Sequence, residues 1–365
     1  MRHGMKRGHR KIILLTLLCA SILGITELLR QVTAAADFLD WGADELEEYT
    51  EESAALFAED PALYLSWGYG TAAETQPPDP TEAVQVSADA GPKPYPETWQ
   101  LSGEVRKVTY TAYSGTRFFD LPHAGQVQNL STTPNETLLA ESRLRPAFDI
   151  ELHAEPQVLI MHTHTTESFE PYERDSFDPN FNYRTTDSSK NMVMVGDAIA
   201  AQLEAAGIAV IHDSTIHDYP SYTGSYDRSR ATVTAILEQY PSIKVVLDIH
   251  RDAISSEGVI SQPTAEINGK KAAQVMIISG CDDGTMGMPN YMQNFRFACL
   301  LQQQMESDHP GLTRPILFDY RKYNQDLTTG SLLIEVGSHG NTLEQAEYAG
   351  ELIGSSLAAA LTSMS

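Results

Sequence analysis

From residue 157 onward the sequence predicts an α/β fold, a mostly parallel sheet covered by helices on both faces. Three observations predict it. Short apolar runs, one of them rich in β-branched residues, recur through this part of the chain. Stretches of helical period and length lie between them, and turn residues punctuate the joins. Strands that alternate with helices of this length pair in parallel, each helix crossing back over the sheet.

The elements follow in order. Residues 158–161 (Val-Leu-Ile-Met) read as a strand, and 192–206 as a helix stopped at Gly207, a good C-cap. Residues 208–212 are a strand, 225–239 a helix ended before Pro241, and 243–249 the β-branched strand. Further strands are expected at 274–279 and 331–336, with helices at 291–307 and from 342 to about 361. No internal repeat is visible.

Ahead of this region the chain is organised differently. Five of its 25 basic residues (Arg2, Lys6, Arg7, Arg10 and Lys11) stand in the first eleven positions, where there is no acidic residue. An apolar run at 12–26 follows, then Glu27 and Arg30. The run is a little short beside the roughly 17–25 residues of a spanning helix, and it also suits the core of a secretory signal with Ala34-Ala35-Ala36 as cleavage site. Both readings export the rest of the chain, since the positive end stays in the cytoplasm. The uncleaved single-pass anchor in the cytoplasmic membrane is the favoured one.

Residues 1–36 thus form a basic flank and anchor, and 37–97 an acidic juxtamembrane segment followed by a proline-rich tether. Residues 98–152 form a small strand-containing segment, and 153–365 the α/β domain. The 365 residues, 42% hydrophobic and 20% charged, suffice for such a core. A net charge of −24 repels phosphate backbones and argues against nucleic acid as a partner. Cys281 and Cys299 lack the close spacing of a metal or redox motif; a disulfide between them is neither demanded nor excluded.

Functional groups in open α/β sheets gather past the carboxyl ends of the strands. Three predicted strands here run into candidate groups: 158–161 into His162-Thr163-His164-Thr165-Thr166-Glu167, 243–249 into His250-Arg251-Asp252, and 331–336 contains Glu335. Two histidines and a carboxylate are the usual protein ligands of catalytic zinc, and a further unbound carboxylate can move the proton of a water. His164, Glu167 and His250 are the candidate ligands and Glu335 the candidate base. A histidine at a strand end is more often a hydrogen-bonded structural residue, and Glu335 has a bland reading as a buried ion pair with Arg251 or Arg321. The convergence of three strand ends carries the argument.

The run 158–169 (Val-Leu-Ile-Met-His-Thr-His-Thr-Thr-Glu-Ser-Phe), the stretches 211–222, 240–252 and 323–327, and the final Leu333-Ile334-Glu335-Val336-Gly337 together resemble the stage II sporulation protein P family. The likeness extends from about residue 125 to 360. It implies a fold similar to zinc-dependent N-acetylmuramoyl-L-alanine amidases, with Zn2+ as cofactor, peptidoglycan as substrate, and stage II sporulation proteins D and M as partners at the septal and engulfing membranes. The residue roles it implies fall on His164 and His250 as ligands and Glu335 as the catalytic carboxylate, with His162 behind them. The chain departs from the wider group at the third ligand: Ser188-Ser189-Lys190-Asn191 stands where a helix-leading glutamate is expected, and Glu167 is the substitute. His217, Asp218, Tyr222, Asn324 and Asp326, with the aromatics near 169–183, read as cleft or turn residues. A zinc endopeptidase acting on stem-peptide cross-links, or a non-catalytic septal scaffold that binds wall polymer, are the alternatives.

Overall fold

The computed structural model describes residues 95–364 apart from 97 and 154. The expected anchor and nearly all of the acidic segment and tether therefore lie outside the described residues. Among the described residues no helix is long and apolar enough to cross a membrane.

Strands β1 (Gly103–Val108), β2 (Phe118–Asp120) and β3 (Gln126–Asn129) come first, then helix α1 (Asn135–Glu141). The α/β region opens with β4 (Val158–Met161), β5 (Ser176–Phe177), α2 (Met192–Ala205), β6 (Val210–His212) and α3 (Ser225–Gln239). It continues through β7 (Val245–Asp252), β8 (Ser255–Ser256), β9 (Val259–Ile267), β10 (Lys270–Ala273) and β11 (Val275–Gly280). Helix α4 (Tyr291–Asp308), β12 (Ile316–Asp319), β13 (Gly330–Ser338) and α5 (Leu343–Thr362) complete it.

The main sheet has eight strands in the order β2-β3-β12-β11-β13-β7-β4-β6. Neighbours within β13-β7-β4-β6 are parallel, as are those within β3-β12-β11. The sheet reverses where β11 meets β13, and β2 pairs antiparallel with β3. The mostly parallel expectation therefore holds pairwise, but the sheet is mixed: β11 enters from the β9–β10 hairpin, so no crossover helix sets its direction. A smaller sheet, β10-β9-β1-β5 with β8 against β9, takes its β1 from the 98–152 segment, while β2 and β3 join the edge of the main sheet.

Alternation along the strands divides the core in two. Val158 and Ile160, Val245, Leu247 and Ile249, and Leu332, Ile334 and Val336 share one core with residues of α2, α4 and α5. Leu159, Met161 and Val246 point the other way and pack with Val233, Ile236 and Leu237 of α3. Leu333, Met276, Ile278 and Leu317 form a further apolar patch with Leu130 and Tyr323. Successive strand side chains take opposite faces, so Asp248, His250 and Glu335 lie on the face that α3 covers. Cys281 and Cys299 are both buried free thiols.

Helix α5 is held at its start by a capping box, Thr342 accepting from the Gln345 backbone N–H and the Gln345 side chain reaching back. It runs so close to α2 that a Cβ at Gly354 would sit 2.8 Å from Ile199 O and 2.8 Å from Gln202 Cβ. Gly354→Leu must push the two helices apart, and a loss of roughly 3 kcal/mol of unfolding free energy is expected in denaturant titration. Thr342→Ala, which removes only the cap, should cost about 1 kcal/mol in the same measurement.

Candidate functional site

Parallel pairing of β7 with β13 sets His250 directly opposite Glu335, and Asp248 opposite Leu333. On the other side of β7, β4 ends with Met161 opposite Asp248, so the turn that follows it lies over the same rim. The Glu167 N–H donates to the His164 carbonyl (3.1 Å), folding the turn back. His164 meets His250 edge-on, ring centroids 5.1 Å apart, and Glu167 Oε2 lies 3.7 Å from His250 Nδ1. The Arg251 N–H donates to that same Glu167 oxygen at 3.1 Å. The structure brings His164, Glu167, His250 and Glu335 into one cleft.

His162 belongs to a different arrangement. Its Nδ1 lies 2.9 Å from the Ile249 carbonyl and its Nε2 2.9 Å from His212 Nε2, which places it behind β7. His217 is likewise structural: it is buried, 2.8 Å from the His162 carbonyl and 3.0 Å from the Thr232 hydroxyl. Asp218 accepts from the backbone and hydroxyl of Thr166 and from Arg184 Nη1 (2.6 Å). Asn191, where a glutamate was the expected ligand, caps α2 by accepting from the Val193 N–H. Asn324 and Asp326 tie the 320–329 loop to α3: Asn324 donates to the Tyr226 carbonyl at 2.9 Å, and Asp326 pairs with Arg230 at 2.7 Å. Phe169, Phe177 and Phe181 pack, while Tyr172 is exposed.

Glu335 pairs with neither Arg251 nor Arg321. Its Oε2 is buried with no hydrogen-bond partner. Burial foremost, then the negative charge of Asp252, lifts its carboxyl to about 8. Burial drives His164 down to about 3, so it stands as a neutral imidazole. Burial also opposes a charge on His250, but the carboxylates of Asp248 and Glu167 outweigh it and raise the ring to about 9. Glu167 is held below the ordinary carboxylate range because Arg251 and His250 overcome the cost of burying it.

Asp248, Arg184 and Tyr226 escape a reading of the sequence, whereas Tyr222 is among the residues read there as cleft or turn. Asp248 Oδ1 lies 2.8 Å from His250 Nε2, too poorly aligned for a hydrogen bond yet close enough to orient the ring. Asp248 is itself fixed by the backbone N–H and hydroxyl of Thr163. Period two could have found it, since residues i and i+2 of a strand share a face. The Tyr222 ring stacks on His164 at 4.6 Å with its hydroxyl 3.1 Å from Nε2, and the Arg184 guanidinium lies 4.9 Å over that ring. Tyr226 stands edge-on to His164 and nearly parallel to both His250 and Tyr323. No periodicity marks it.

The register of β13 shifts between Glu335 and Ser338, a bulge in which Gly337 takes φ +63°. A Cβ at Gly337 would also meet Asn341 Oδ1 at 2.4 Å. Glycine after Glu335-Val336 is therefore a backbone requirement, bending the strand just beyond the carboxylate.

Among the described residues no three His, Cys, Asp or Glu side chains form a ready-made metal cage. The donor set nonetheless fits zinc in kind: a neutral imidazole, a second ring that would give up its proton on binding, with a carboxylate behind one nitrogen, and a glutamate facing the other. Two ligands on tetrahedral bonds of about 2.1 Å stand about 3.4 Å apart. The separation of His250 Nδ1 from Glu167 Oε2 is 3.7 Å.

A family model described as stage II sporulation protein P matches residues 118–358. A curated relative of that name from Bacillus subtilis (strain 168) is 33% identical over 203 residues, which are 53% of this chain and 48% of the relative. The chain thus spans about half the length of the curated relative it matches. Solved structures with similarity include the N-acetylmuramoyl-L-alanine amidase AmiC2 of Nostoc punctiforme, 11% identical, covering 57% of this chain and 96% of that one, TM-score 0.34. The CwlD amidase of Clostridioides difficile in complex with the GerS lipoprotein is 11% identical, with 57% and 99% coverage and a TM-score of 0.34. A metallo-carboxypeptidase of Burkholderia cenocepacia is 9% identical, with 64% and 70% coverage and a TM-score of 0.35. Likeness at this level says nothing of the chain's chemistry.

Arg184 is the cation shared by buried Asp218 and Glu167, 2.6 and 3.5 Å away. Arg184→Met removes the ion-pair partner of buried Asp218 and one of those of Glu167, and a loss of roughly 3 kcal/mol is expected in equilibrium unfolding. Arg184→Lys, which keeps the charge but loses the fork, should fall between that variant and the parent.

Proposed function

The chain belongs to the stage II sporulation protein P family, and on that premise we propose that it is a sporulation peptidoglycan hydrolase, a zinc-dependent N-acetylmuramoyl-L-alanine amidase. One observation carries the chemistry: His164, Glu167 and His250 meet at the rim of parallel strands where Glu335 presents a buried carboxylate oxygen with no partner. A buried carboxyl left unpaired is costly, and a cleft that keeps one has a use for it.

His164, His250 and Glu167 would hold the zinc, which when bound supplies Lewis-acid polarisation of the amide carbonyl. The protein's own groups do the rest. Asp248 orients His250 from behind, and Arg251 steadies Glu167 through its backbone N–H. Glu335 takes a proton from the attacking water as its oxygen adds to the lactyl carbonyl carbon. It then passes that proton to the amine nitrogen of L-alanine as the C–N bond breaks, leaving a free carboxyl on the sugar and a free stem peptide. At about 8 the carboxyl of the metal-free chain keeps its proton at neutral pH, and a cation held beside it would favour the carboxylate that the first transfer needs.

The residues at 1–36 would keep this domain at the outer face of the membrane, within reach of stage II sporulation proteins D and M. Absence of both from detergent extracts purified through this chain would sink that part of the proposal.

His164→Ala and His250→Ala should lose zinc and activity together. Glu335→Gln should keep its zinc while turnover falls by roughly 10²-fold or more. Asp248→Asn should weaken zinc by roughly 10–100-fold. Glu167→Ala with undiminished zinc would move the third ligand elsewhere. Mass spectrometry of digested peptidoglycan identifies the bond: free stem peptides with unpeptidylated glycan support the amidase, whereas cut cross-links indicate an endopeptidase. No soluble product from any wall preparation, with zinc supplied, would leave only a binding scaffold.

A further inference from the structure

Tyr226 packs between the two candidate histidines and Tyr323 in an unusual way. Everything that holds it acts on its ring or its main chain. The Tyr226 carbonyl accepts from Asn324 Nδ2 at 2.9 Å and from the Ser229 hydroxyl at 3.1 Å. Its ring lies nearly parallel to that of Tyr323 (20°, centroids 5.2 Å apart) and to that of His250 (9°, 6.4 Å). It stands edge-on to His164 at 79°, centroids 5.5 Å apart. The phenolic hydroxyl, by contrast, makes no hydrogen bond to any described residue, and the residue is partly exposed rather than sealed.

Packing alone does not account for that hydroxyl. Phenylalanine would make the same three ring contacts without the hydroxyl. A phenol is protonated at neutral pH and is therefore a donor. The acceptor it lacks must come from outside the chain. Its ring contacts with His164 and His250 put the phenol among the groups assigned to the chemistry.

We propose that Tyr226 is a catalytic residue whose hydroxyl donates a hydrogen bond to the carbonyl oxygen of the scissile amide. The proposal rests on the hydrolase reading above. As the water oxygen adds to the carbonyl carbon, the carbonyl oxygen gains negative charge, and a donor fixed before the reaction stabilises it without reorganising. The ring stack supplies the fixing: Tyr323, itself held by Arg321 Nη1 at 2.8 Å, and His250 confine the plane of the phenol. No covalent bond to Tyr226 forms, and the hydroxyl keeps its proton throughout.

The test uses the full-length chain with zinc supplied and the conservative variant Tyr226→Phe, which preserves the stack. Turnover on purified peptidoglycan should fall roughly 10²- to 10³-fold with KM and zinc content within twofold of the parent. A second reading does not depend on turnover. Binding of a phosphinate analogue of the muramoyl–alanine amide, a tetrahedral mimic, should weaken by a similar factor in calorimetry. Binding of muramoyl dipeptide, which contains the planar amide, should change little. Turnover within threefold of the parent, or equal weakening of both ligands, overturns the role of Tyr226. A parent chain that neither cleaves wall nor binds the phosphinate overturns the hydrolase reading and this role with it, whereas an active parent with an unimpaired Tyr226→Phe variant overturns the role alone.

Discussion

The parallel register between β7 and β13 is the constraint on which the rest of the site depends. Opposite residues on neighbouring strands share a face, so once Val245 pairs with Gly330, His250 and Glu335 are committed to the same side and the same depth. A slip of one residue would set them on opposite faces and send one of them into the core shared with α2, α4 and α5. The apolar partners Leu247–Leu332 and Ile249–Ile334 forbid that slip, because they fill the opposite face completely. The core thus sets the spacing of the polar groups, although none of its residues touches them.

Charge in the cleft is balanced locally and at close range. Arg184 serves Asp218 and Glu167, Arg251 serves Glu167, and Arg314 serves Asp252. Each anion that supports the site has a cation or N–H donors to answer for it, and Glu335 alone among them keeps an oxygen with no partner. That contrast says more than any single raised or lowered pKa. A chain strongly acidic overall sets Arg184, Arg251 and Arg314 against the carboxylates around the site.

Much of this is legible in the sequence, for identifiable reasons. The β4 strand and helix α3 are readable because a continuous apolar run and a stretch of helical period are each cut off by residues that cannot continue them, and the structure places both where periodicity does. The four candidate site residues are readable because strand ends are where polar groups can stand beside a core. Strand β9 is not readable: Ser261, Gln262 and Pro263 interrupt its apolar pattern, and their burial is sustained by contacts remote in sequence, such as Gln262 with the Gly340 carbonyl. Asp248 hides inside a strand that otherwise reads as core. Tyr226 hides for the opposite reason, since an aromatic in the first turn of an amphipathic helix looks like ordinary packing until its neighbours are known.

The reversal of the sheet at β11 has a consequence for how the cleft is walled. The two candidate histidines and Glu335 come from strands of one polarity, while Tyr323 arrives on the 320–329 loop that leaves β12, a strand running the other way. The reacting groups and this wall therefore enter from opposite ends of the sheet and share no turn. The loop holds none of the residues paired in the β7–β13 and β4–β7 registers. What the cleft admits is thus set in part by a half-buried segment, anchored by Gln325 and Leu327, that contributes none of the groups proposed to act on the substrate.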